Sequence, residues 1–119
     1  MKNATFGASF KTAFKGILYA FAHEKNFRYY FYNFSAALLI NLLIRVPIYC
    51  HLYYMLTVAG VCSAECMNTA MEHMADFVCP EFNKIIGALK DMAAAAVLWW
   101  GLAFYIGEGA MVLKWIFCL

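Results

Sequence analysis

The sequence predicts an all-α membrane protein: an amphipathic amino-terminal surface helix followed by three transmembrane helices. Three observations carry that expectation. The chain is 66% hydrophobic and only 13% charged, against about 45–50% and about 25% in ordinary soluble domains. Its 119 residues make one domain at most, so 1–119 is read as a single domain. Surface-to-volume scaling keeps so short a chain from hiding that much apolar surface inside itself, and the excess must face lipid, other subunits or both. Finally, the apolar residues gather in long segments, interrupted by polar stretches that contain the two prolines, Pro47 and Pro80.

The first element spans 3–28. Phe6, Phe10, Phe14, Ile17, Leu18 and Phe21 recur at threes and fours, and Lys11 and Lys15 lie off that stripe. Such a pattern suits a helix lying in the membrane interface with its lysines toward the headgroups. The first transmembrane segment, 29–44, is aromatic at its start and aliphatic at its end, and it stops at "RVPIYCH". The second, 52–76, carries the motif "ECMNTAMEHMAD" in its last third. Between the second and third, "FVCPEFNKIIGALKD" reads as a loop with a short helical return, because Pro80 breaks the preceding helix. The third, 92–113, is long enough to span about 30 Å of hydrocarbon.

Lysine and arginine placement sets the expected orientation. With the amino terminus inside, Lys2, Lys11, Lys15, Lys25, Arg28, Lys84 and Lys90 are cytoplasmic, and only Arg45 and Lys114 lie outside. "ECMNTAMEHMAD" then sits at the cytoplasmic end of its helix. No short basic region and no A-x-A site accompany the first apolar run, so a cleaved leader is not expected. A net charge of +2 without a basic stripe gives no reason to expect nucleic acid. The five cysteines form no C-x-x-C pair and read as small packing residues. The three histidines share no metal-like spacing, Glu81 reads as a solvated cap, and Glu108 reads as structural or solvated near the outer interface.

Glu65, Asn68, Glu72 and Asp76 are spaced i, i+3, i+7 and i+11, which puts them in one narrow sector of a helix. Charges at bilayer depth are costly, so this face must look into a protein interface or a wet cleft. Clustered carboxylates repel one another unless one is protonated or a cation lies among them, and hard oxygen donors suit Mg²⁺. Glu24, Lys90 and Asp91 add two acids and a cation on the same predicted side. Carboxylates for a metal, a lysine for phosphate and a carboxylate as base are the parts of phosphoryl transfer, with the individual roles left open. No Walker or kinase-type glycine loop occurs, so any nucleotide site must be built from helices. A non-catalytic protein that handles protons or cations would also use intramembrane acids; Glu24 and the Lys90–Asp91 pair are what such a relay would not need.

These residues carry a resemblance. "E-x-x-N-T-A-x-E-x-x-x-D" at Glu65–Asp76, "K-D-M-A-A-x-A-V-L" at Lys90–Leu98 and "S-F-x-x-A-x-x-G" followed by "E-x-N-F-R" in the amino-terminal region resemble the small bacterial membrane lipid kinases, the prokaryotic diacylglycerol kinase and undecaprenol kinase family. The resemblance runs from about Ser9 to Leu113. It implies a homotrimeric helical bundle in the bacterial cytoplasmic membrane, with active sites between subunits, that phosphorylates a lipid alcohol with ATP and Mg²⁺. By position it implies Glu65 as general base and Asn68 as its orienting neighbour. Glu24 and Glu72 become metal ligands, and Asp76, Lys90 and Asp91 contact the nucleotide. "NTA", "C-P-E-F" and "E-K-N-F-R" look like the undecaprenol kinase branch, with diacylglycerol as the alternative substrate. Tyr30, Gly87 and Ala95 depart from that branch's usual histidine, lysine and glycine.

Overall fold

The structure, a computed structural model, describes residues 5–118, and these are all-α: α1 (Phe6–His23), α2 (Lys25–Leu43), α3 (Ile48–Val78) and α4 (Lys84–Phe117). Lys2 and the first two residues of the expected 3–28 helix lie outside the described residues. The chain packs as two units, Met1–Asn33 and Phe34–Leu119.

In the first unit, Thr5 caps α1 by accepting from the Ala8 N–H at 3.1 Å, which satisfies one of the helix's orphan donors. The stripe read from the sequence is exposed: Phe6, Phe10, Phe14, Ile17 and Leu18 all face outward, and Ala20 is the residue that α1 buries. The helix does not run to 28 as expected. It ends at His23, because Glu24 takes an extended conformation at φ −110° and ψ 117°, and α2 starts one residue later. The hydrophobic period continues across the break, which is why spacing alone missed it. Phe21 packs its ring against Phe27 at 5.8 Å and Phe31 at 6.1 Å. The Arg28 guanidinium donates to the Phe21 and Ala22 carbonyls at 3.5 and 3.4 Å. That places a cation on the orphan carbonyls of the α1 terminus, where the helix dipole favours it.

The second unit joins the rest of α2 to α3 and α4. The end of α2 turns through Arg45 at φ 57°, with the Val46 N–H bonded to the Asn41 carbonyl and the Arg45 N–H to the Leu42 carbonyl. This is the Schellman arrangement, with arginine where glycine is usual. Pro47, which cannot donate, then stands as N-cap of α3. Asn83 caps α4 by accepting from the Ile85 and Ile86 N–H groups at 2.9 and 3.1 Å. That cap explains a second difference from expectation: the segment after the loop is not a separate helical return but the first turns of α4 itself.

Contacts between Tyr53 and Ala103, Gly60 and Trp100, and Asp76 and Lys90 occur in opposite chain order, so α3 and α4 are antiparallel. Their core holds Phe34, Tyr54, Val61 and Phe104. The Phe34 and Phe104 rings meet edge to face at 4.9 Å, and the Tyr54 hydroxyl donates to the Phe34 carbonyl at 2.6 Å. Among the described helices, α4 alone is long and apolar enough to cross a membrane by length and composition. The other two expected spans fall on α2 and α3, where asparagines and the acidic face dilute the apolar run.

Helix approach depends on two glycines. A Cβ at Gly60 would collide with the Trp100 indole, and one at Gly107 with the Tyr53 phenol, whose hydroxyl donates to the Ala103 carbonyl. Gly60→Ala is therefore expected to destabilise the chain by about 1–3 kcal/mol, the usual cost of overpacking. Trimming the ring as well, in Gly60→Ala/Trp100→Leu, should recover part of the loss. Thermal unfolding in detergent checks this, and an unchanged Tm for Gly60→Ala would contradict the close approach.

Candidate active site

One stripe of α3 is turned inward from its first turn as far as Asn68: Cys50, Tyr54, Thr57, Val61, Glu65 and Asn68 are buried. The expected polar face is the continuation of this stripe. Glu65 is 3% exposed and Asn68 8%, Glu72 is half-buried, and Asp76 is exposed. The face thus runs from the helix–helix core out to solvent, and the same helical phase that packs Tyr54 against Phe104 points Glu65 inward.

Glu65 accepts a hydrogen bond from the Thr69 hydroxyl at 3.3 Å. Thr69 was not singled out from sequence. Its signal is a hydroxyl one helical turn beyond a buried acid, a spacing that makes the contact geometrically easy. Asn68 has a buried Oδ1 with no hydrogen-bond partner among the described residues, and it lines a groove of about 300 Å³ between α3 and α4. Its other walls are apolar, with Ala64, Met67, Met71, Met92 and Ala93 among them. A buried carbonyl oxygen without a partner is costly, and it is satisfied by any donor that enters.

At the outer end of the face, Lys90 and Asp76 form an ion pair at 2.5 Å. The resemblance implied nucleotide contact for both residues, and the structure brings them together across two helices. Lys90 stands on the first turns of α4, before the apolar span, and its hydrogen bond to Asp76 holds the ammonium above the ordinary lysine range. Burial opposes that bond, and the charges of Asp76 and Glu72 add smaller effects in the same sense as the bond. Glu72 is therefore within electrostatic reach of Lys90. Asp91 is exposed beside it.

Glu24 belongs to the first unit, at the α1–α2 break, whereas the other expected site residues lie in the second. Among the described residues, no three His, Cys, Asp or Glu side chains gather as a metal cluster. His73 is exposed, off the buried stripe. Glu81 is exposed in the loop, as expected of a solvated acid, with the Cys79 thiol 3.6 Å from its carbonyl oxygen. Of the two readings of Glu108, structural or solvated, the structure shows the first. It is 7% exposed and accepts a hydrogen bond from the Asn41 amide, which is itself buried. No local spacing could reveal that pair, because its members are far apart in sequence.

The family model for prokaryotic diacylglycerol kinase matches residues 11–113. The chain is 33% identical over 92 residues to an undecaprenol kinase of Bacillus subtilis (strain 168), an alignment covering 77% of this chain and 75% of that protein. It is 32% identical over 106 residues to a diacylglycerol kinase of Synechocystis sp. (strain ATCC 27184 / PCC 6803 / Kazusa), covering 88% of this chain and 61% of that protein. The chain thus spans less than two thirds of the second relative's length. No solved structure matches it.

Proposed function

The chain belongs to the prokaryotic diacylglycerol kinase family, a family of membrane lipid kinases, and from that premise we propose that it transfers the γ-phosphate of ATP to the hydroxyl of undecaprenol. The observation that carries the reading is the pairing of a buried acid, Glu65, with the buried and unpartnered Asn68 oxygen at an apolar groove. A lipid alcohol offers what that place lacks, one hydroxyl donor on a long apolar chain. The similarity to the undecaprenol kinase supports the choice of lipid.

In this mechanism Glu65 takes the proton from the lipid hydroxyl as the oxygen attacks phosphorus. Thr69 holds the carboxylate in its rotamer, and the Asn68 side chain receives and orients the alcohol before its O–H turns to Glu65. A base positioned in this way contributes about 10²–10⁴-fold to rate. Lys90 and Asp91 lie on the nucleotide side, and Asp76 fixes the ammonium of Lys90 until phosphate competes for it. Glu72 and Glu24 would hold Mg²⁺, whose chemistry when bound is to offset charge on the phosphate oxygens. The donor set fits: Mg²⁺ commonly takes one or two carboxylates and completes its shell with water and substrate phosphates. The non-catalytic relay is set aside, because family membership is that of a kinase.

The same proposal covers the surroundings. The whole of 1–119 forms one lipid kinase domain in the cytoplasmic membrane. The amphipathic α1 lies in the interface, α2, α3 and α4 cross the bilayer with the amino terminus cytoplasmic, and three chains assemble with sites between them. Offering undecaprenol and diacylglycerol together with γ-labelled ATP tests the substrate. Label is expected in the polyprenyl product in at least about tenfold excess, a difference of about 1.4 kcal/mol in transition-state binding. Label confined to phosphatidic acid would replace the lipid assignment, and no label in any lipid would overturn the kinase mechanism.

A further inference from the structure

A second cavity lies far from this site. It has a volume of about 540 Å³ and is lined by Tyr49, Cys50, Met111, Lys114, Trp115 and Cys118, from the first turn of α3 and the last turns of α4. At 1.5 Å of rise per residue, about 39 Å of helix axis separates Cys50 from Asp76. That is roughly the full thickness of a bilayer including part of its headgroups. The reacting hydroxyl and the nucleotide, which belong at the other end, are therefore not what the cavity holds.

The chemistry of the lining is amphipathic and cationic. Tyr49, Met111 and Trp115 give it apolar and aromatic walls, and among the described residues that line it Lys114 is the charged one. Trp115 is fixed, because its indole N–H donates to the Ile44 carbonyl at 2.5 Å. That bond ties the cavity wall to the turn bearing Arg45, an exposed second cation. The single acid on the last turns of α4, Glu108, is buried and engaged with Asn41. Among the described residues, this end of the unit thus presents positive charge beside an apolar slot, with no exposed acidic side chain to neutralise it. Aromatic residues with a lysine at the end of a membrane helix match the headgroup level of a bilayer, and a negative headgroup gains about 1 kcal/mol per nearby lysine or arginine.

We propose that this cavity binds an anionic phospholipid of the leaflet opposite the catalytic end, with its phosphate on Lys114 and an acyl chain against Trp115 and Met111. The site goes beyond the kinase reading, and its test reads lipid contact rather than turnover, so the two fail separately. Since the chain has three tryptophans, the Trp99→Phe/Trp100→Phe variant leaves Trp115 as the sole emitter. It is reconstituted in phosphatidylcholine vesicles that contain acyl-brominated phosphatidylglycerol or, in a parallel series, acyl-brominated phosphatidylcholine. Phosphatidylglycerol is expected to quench Trp115 at about fivefold lower mole fraction, the factor corresponding to one favourable lysine contact. Lys114→Gln should remove that preference, and Lys114→Arg should keep it.

Equal quenching by the two lipids overturns the proposal. So does the absence of quenching by either, which would mean that another protein surface covers the cavity. If the double tryptophan variant does not fold, the wild-type chain and Lys114→Gln are compared by Tm as the phosphatidylglycerol fraction rises. The wild type alone should gain stability, and parallel curves would overturn the assignment.

Discussion

Glu65→Gln is expected to lower kcat by about 10²–10⁴-fold, the range for loss of a positioned general base, while the helices and their packing persist. The substitution is nearly isosteric, and the new amide keeps an oxygen that can accept from the Thr69 hydroxyl, the bond that Glu65 accepts at 3.3 Å. What it loses is the capacity to take a proton. Because Glu65 is only 3% exposed, bulk water reaches it poorly and does not readily substitute as base. The measurement is kcat at saturating ATP and lipid alcohol, beside circular dichroism and Tm. Near wild-type turnover would remove Glu65 from the role. A loss of both turnover and helicity would instead make it a packing residue. The fall should appear in kcat rather than in KM for ATP, since the nucleotide-side residues are more than two helical turns away along α3.

The polar face was legible in the sequence because one helix carries it: spacing at threes and fours fixes the phase of Glu65, Asn68, Glu72 and Asp76 without knowledge of any partner. The Asp76–Lys90 contact was less legible, since it depends on the register of α3 against α4. That register is set by the Gly60–Trp100 and Gly107–Tyr53 approaches, which no single-helix pattern encodes. The end of α1 was misplaced for a related reason. Hydrophobic period continues through Glu24 while the backbone does not, and what stabilises the break is Arg28 reaching back to the Phe21 and Ala22 carbonyls. The start of α4 is set by the Asn83 cap and not by Pro80, the stronger signal in the local sequence. The second cavity is not legible in any one segment, because its lining comes from opposite ends of two helices.

The Asn41–Glu108 pair carries the largest expected effect on stability. Asn41 is 1% exposed and Glu108 7%. The Asn41 amide donates to one carboxylate oxygen, and the other has no hydrogen-bond partner among the described residues. Asn41→Leu removes the donor and leaves both oxygens facing side chains at a depth where water is scarce. Leaving a buried polar group unsatisfied costs about 1–3 kcal/mol, and more for a charged one. Asn41→Leu is therefore expected to destabilise by at least about 2 kcal/mol. Replacing both members with apolar residues of similar size removes the unmet demand together with its partner, so Asn41→Leu/Glu108→Met should lose much less than the sum of its single variants. A double-mutant cycle read by thermal or denaturant unfolding in detergent measures that coupling. Strictly additive losses would show that the hydrogen bond contributes nothing. The cycle also separates stability from register. α2 is held to α4 by this bond and by Trp115 on the Ile44 carbonyl, both near one end, while purely apolar packing would let the helices slide. If the pair sets register, the double variant regains stability yet displaces Trp115, and its emission shifts even though Lys114 and the cavity lining are unchanged in sequence.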